Sequence, residues 1–107
     1  MKINYTLTGG ILILSPEGEL DHHCAMTDLA RMRELIEVML PPNVLLDLAA
    51  MPFTDSSGIA VLMNLYRAAR RLDSGFAIVN TQSQPMKVFR AAGLDRILSF
   101  RTEEVHI

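Results

Sequence analysis

The stretch Phe53-Thr54-Asp55-Ser56-Ser57-Gly58-Ile59 gathers hydroxyls, a carboxylate and a glycine between an apolar run and a helical pattern. Asp, Ser and Gly at a helix N-terminus cap orphaned amides. A serine there is also a reasonable phosphate acceptor, because free amides and the positive end of the helix dipole favour the added charge. A second cluster, Gly18-Glu19-Leu20-Asp21-His22-His23-Cys24, joins two imidazoles and a thiol, which are metal ligands by type. Adjacent residues at a helix start point in different directions, and no second ligand pair follows at a usable spacing, so no metal is expected. Hydrolase chemistry is equally poorly served. Ser56 and Ser57 lack the G-x-S-x-G elbow, and a candidate His–Asp pair exists only in the other loop. Gly9-Gly10 precedes a strand and Gly58 is isolated, so there is no phosphate-cradling glycine loop. The expectation is a protein that is not an enzyme and carries no cofactor.

The hydrophobic pattern supplies the elements that hold these loops. Ile3, Tyr5 and Leu7 alternate with polar residues, Gly9-Gly10 offers a turn, and Ile11-Leu12-Ile13-Leu14 follows, which predicts a β-hairpin with one wet face on its first strand. Ala25, Leu29, Met32, Ile36 and Met39 fall on one helical face and predict a helix over 21–40, with Asp21 as cap and Pro41-Pro42 as terminator. Val44-Leu45-Leu46-Asp47-Leu48 reads as a central strand covered on both faces. Ile59, Leu62, Met63, Tyr66 and Ala69 place a second helix over 56–72, with Arg67, Arg70 and Arg71 on a solvated side. Phe76-Ala77-Ile78-Val79 is the next strand. Ser83 is placed to cap a short third helix, Gly93 is a natural left-handed stop, and residues 97–100 read as a last strand. The order β-β-α-β-α-β-α-β predicts an α/β fold with a mixed, partly parallel sheet.

With 107 residues, the chain has the length of one domain, and 50% hydrophobic against 21% charged residues is enough to bury a core. Ten Lys and Arg against 12 Asp and Glu leave a net charge of −2, which argues against direct nucleic-acid or anionic-membrane binding through a basic field. The lone Cys24 excludes an intrachain disulfide and fits a reducing cytoplasm. No apolar run approaches the roughly 18 to 20 residues of a membrane span, so membrane insertion and secretion are not expected. Seven methionines and no tryptophan imply an aliphatic core with Met as filler.

Taken together, the two loops resemble the STAS family, and among it the small bacterial anti-sigma factor antagonists. Gly18-Glu19-Leu20-Asp21 is similar to that family's G-E-L-D segment, and Asp55-Ser56-Ser57-Gly58 to its D-S-[ST]-G phosphorylation motif. The resemblance extends through Gly75 and Ala92-Gly93-Leu94, over almost the whole chain. It implies a single STAS domain over 1–107 that binds an ATP-dependent anti-sigma factor serine kinase and so frees a sigma factor. It further implies phosphorylation of Ser56 by that kinase and reversal by a PP2C-type phosphatase. Asp21, His22, His23, Asp55, Ser56, Ser57 and Gly58 are the implied partner-binding residues, and the free protein is expected to be a monomer. Relatives commonly carry a further C-terminal helix where residues 101–107 of this chain allow a turn or short strand. The alternative within the family is a non-switching binding module, such as a scaffold or an accessory subunit of a lipid-transport ABC system.

Overall fold

The computed structural model describes residues 1–105. Strands β1 (Lys2–Thr8) and β2 (Ile11–Glu17) form the hairpin. Thr8 pairs with Ile11, and Gly9 and Gly10 stand at φ 55° and 77°, the left-handed pair that a two-residue turn between twisted strands requires. There follow α1 (Ala25–Met39), β3 (Asn43–Asp47), α2 (Ser57–Arg71), β4 (Gly75–Val79), α3 (Ser83–Ala91), a 3-10 turn (Leu94–Arg96) and β5 (Phe100–Arg101). The sheet order is β1-β2-β3-β4-β5, with β1 antiparallel and every later pairing parallel.

Each crossover steps one strand in the same direction, so right-handed connections bring all three helices to one face. That face holds the main core. Leu12 and Leu14 of β2, Val44 and Leu46 of β3 and Ile78 of β4 pack with Leu29, Met32 and Ile36 of α1, Leu62 and Leu65 of α2, and Phe89 of α3. The opposite face presents Ile13, Leu45, Ala77 and Val79, against which Val105 packs. β3 is central, as its apolar run predicts. Met32 and Met51 are buried filler, whereas Met26 is 77% exposed. The alternation of β1 is only partly expressed in burial: Ile3 is buried, but Tyr5 and Leu7 are exposed on this outer strand.

Several boundaries differ from those read in the sequence. α1 begins at Ala25 rather than 21, because residues 22–24 form a turn held by Asp21: its Oδ1 accepts the amides of His23 (3.0 Å) and Cys24 (3.3 Å). Asp21 thus caps that turn, and the residue flanking the helix is Cys24, whose side chain caps nothing. Ser83 is the first residue of α3 instead of its cap, with Gln82 before it. The last strand is Phe100–Arg101, not 97–100. Gly93 is left-handed as expected, but it launches a 3-10 turn in which the amides of Arg96, Ile97 and Leu98 bond back to Gly93 and Leu94, so they are lost to the sheet. Residues 102–105 have no regular structure; Asn80 and Glu103 exchange two hydrogen bonds there. The rest of the 101–107 expectation lies outside the described residues. Among the described residues no helix is long and apolar enough to cross a membrane.

Candidate partner-binding and phosphoacceptor site

The two loops meet through a single parallel bridge between Leu20 and Thr54. The Leu20 amide donates to Phe53 O (3.1 Å), and the Asp55 amide donates to Leu20 O (3.3 Å). Both bridge residues are buried, Leu20 in the main core, so this junction is anchored from below. The Thr54 hydroxyl adds a bond of 2.8 Å to Leu20 O. Gly58 lies against it: a Cβ there would collide with Thr54 Oγ1, which explains why the fourth residue of the motif has no side chain. On its other side Thr54 is held by Gln84 of α3, whose Oε1 accepts the Thr54 amide and whose Nε2 donates to Thr54 O, both at 3.0 Å.

Asp55 fastens the surface layer. Its Oδ1 accepts the Ser57 amide at 2.8 Å and its Oδ2 accepts the His22 amide at 3.0 Å, with the His22 ring Nδ1 at 3.5 Å. The Ser57 amide is the largest influence on its carboxyl; with the Ser57 hydroxyl and His22 it outweighs desolvation and holds Asp55 below the usual carboxylate range. Asp21 is also held low: desolvation would raise it, but hydrogen bonds from the thiol and amide of Cys24 and the amide of His23 together prevail. Two ionised carboxylates therefore bracket the loops at neutral pH.

Ser56 is exposed at the residue flanking α2, with φ −61° and ψ −18°, and its hydroxyl caps no amide of the helix. The expectation that a phosphate here meets free amides is not met. The Ser57 amide bonds to the Asp55 carboxylate, the Gly58 amide to Asp55 O (3.1 Å), and the Ile59 amide to Ser56 O (3.1 Å). An added phosphate would face the Asp55 anion with those donors already engaged. The helix begins at Ser57, one residue later than the hydrophobic pattern suggests.

The histidines of the first loop stack on each other with ring centroids 4.0 Å apart, and the His22 side chain is 70% exposed. Burial pushes the Cys24 thiol up, and its sulfur lies 3.5 Å from Glu19 O, inside the turn. Among the described residues no group of three or more His, Cys, Asp and Glu side chains is arranged to hold a metal ion. Arg67, Arg70 and Arg71 are exposed on α2, with Arg70 bonded to the Tyr66 hydroxyl at 2.8 Å.

Of the residues singled out by type, Asp21, His22, His23, Asp55, Ser56 and Ser57 come together at the surface of one junction, with Gly58 buried beneath. Thr54 and Gln84 were missed as positioning residues. Gln84 lies inside α3 and its partner is 30 residues away, so no local pattern points to it.

The STAS domain family model matches residues 2–106. The chain belongs to the STAS family. An anti-sigma F factor antagonist of Paenibacillus polymyxa is 28% identical over 97 residues, which is 91% of this STAS chain and 83% of that protein. The solved structure of an anti-sigma factor antagonist from Mycobacterium paratuberculosis matches with TM-score 0.81 at 22% identity, over 94% of this chain and 84% of that one. The antagonist SpoIIAA in its unphosphorylated form matches with TM-score 0.78 at 22% identity, over 95% and 90%. These structures share the STAS fold with this chain.

Proposed function

We propose that this chain is a cytoplasmic anti-sigma factor antagonist, a single STAS domain that switches partners through Ser56. Unmodified, it binds an ATP-dependent anti-sigma factor serine kinase over the surface of the joined loops and releases a sigma factor. The kinase moves phosphate onto the Ser56 hydroxyl, the complex separates, and a PP2C-type phosphatase restores the binding form. The observation that carries this reading is the exposed, uncommitted Ser56 hydroxyl at the start of α2, beside the Gly18-Glu19-Leu20-Asp21 loop. The antagonist activity of the Paenibacillus relative supports it.

The magnitude of the switch is physically reasonable. Phosphate adds roughly −1.5 to −2 of charge, and at an interface that charge must be desolvated or face other anions. It stands next to Asp55, which is already ionised. A thousandfold loss of affinity requires only about 4 kcal/mol, so local repulsion suffices without a change of fold. Calorimetry against the serine kinase that co-purifies with the wild-type chain tests this. Ser56→Ala should bind like wild type but persist in complex when ATP is added, and Ser56→Asp should bind at least tenfold more weakly. Tight kinase binding by stoichiometrically phosphorylated protein would overturn the mechanism.

A further inference from the structure

We infer that Gln84 is a positioning residue for phosphoryl transfer to Ser56, holding the acceptor loop in register from α3; this rests on Ser56 being the acceptor. The bridge geometry explains why such a residue is needed. In the parallel bridge, Leu20 bonds to Phe53 O and to the Asp55 amide, so the amide and carbonyl of the intervening Thr54 point to the other side. β4 ends at Val79 and supplies no strand there. The primary amide of Gln84 replaces the absent strand, accepting from Thr54 N and donating to Thr54 O at 3.0 Å each.

The clamp is itself fixed. Gln84 lies in the first turn of α3, which is seated by buried Pro85 and by Phe89 in the main core. Gln82, just before that helix, donates to Ala49 O at 2.7 Å, so two glutamines at one helix start bracket the segment that leads from β3 to the acceptor. Without Gln84, both backbone groups of Thr54 lose their partners two residues before Ser56, and the loop samples other registers. Phosphoryl transfer depends on placing the attacking hydroxyl in line, and a shift near 1 Å costs about a hundredfold. Docking over the wider surface is retained, so the defect belongs in kcat rather than KM.

The test uses the full chain as wild type, Gln84→Ala and Gln84→Glu, with Thr54 amide hydrogen exchange and Ser56 phosphorylation by an ATP-supplied, phosphatase-blocked lysate of its own cells. Gln84→Ala should speed Thr54 exchange at least tenfold and lower kcat at least tenfold, with KM within twofold. Gln84→Glu separates positioning from general stability in one folded molecule. Its carboxylate cannot donate to Thr54 O and repels it at pH 8, whereas the protonated acid, the majority form only below the ordinary Glu value of about 4.3, can donate. Thr54 protection, corrected for intrinsic exchange, should therefore return on acidification. An unchanged Thr54 amide in Gln84→Ala, or wild-type kcat despite a loosened Thr54, overturns the inference and leaves Ser56 as acceptor. No phosphate on wild-type Ser56 in that lysate overturns the acceptor reading itself, and the positioning role with it.

Discussion

Each oxygen of the Asp55 carboxylate holds a different loop, one through the Ser57 amide and the other through the His22 amide. Because these bonds favour the ionised form, the folded-state pKa lies below the unfolded one, and their contribution is present above the ordinary carboxylate value of about 3.9 and is lost as pH falls through the folded value. The His22 and Ser57 amides should therefore remain protected from exchange at pH 5 and lose protection only below about pH 4. NMR titration checks this; loss of protection already above pH 5 would show that the Asp55 carboxylate is not what holds these amides. Asp21, Asp55 and Ser56 were legible because their types at helix starts admit few roles. Thr54 and Gln84 were not, because their roles exist only through a contact across 30 residues.

Among the described residues, periodicity located all three α-helices and four of the five strands, since a one-sided core writes itself into spacing. It misplaced ends wherever side chains or left-handed residues redirect amides. Asp21 turns 22–24 away from the helix, and residues 97–100 look like a strand although the 3-10 turn that Gly93 launches draws the amides of Ile97 and Leu98 back to Leu94 O. α1 ends comparably, at Leu40 with φ 47°, whose amide bonds to Ile36 O at 3.0 Å. Leu40 is 62% exposed, so its side chain offers little packing in return for a conformation that disfavours a Cβ. Leu40→Gly should raise unfolding stability by about 0.5 to 1 kcal/mol in urea denaturation, the left-handed penalty less the added chain entropy of glycine. A loss of stability would show that Leu40 packing outweighs backbone strain.

For the molecule as a whole, monotonic strand order with right-handed crossovers puts all three helices behind the sheet and both loops at one end of it, joined by Leu20 and Thr54. That order was readable from alternating strand and helix patterns. The helix-free face, with Ile13, Leu45, Ala77 and Val79 under Val105, was not, because an apolar strand run does not say which layer covers each side. In this architecture the core and the proposed acceptor are separate: Ser56 is exposed at the junction, where an added phosphate would change charge at a surface and leave the packed layers as they are. The most direct measurement is intact-mass spectrometry with peptide mapping on protein purified from its own cells in growth and in stress. The partner switch predicts a phosphate on Ser56 whose occupancy changes between the two conditions. Absence of phosphate in both, with phosphatases blocked and kinase activity confirmed in the lysate, would contradict it.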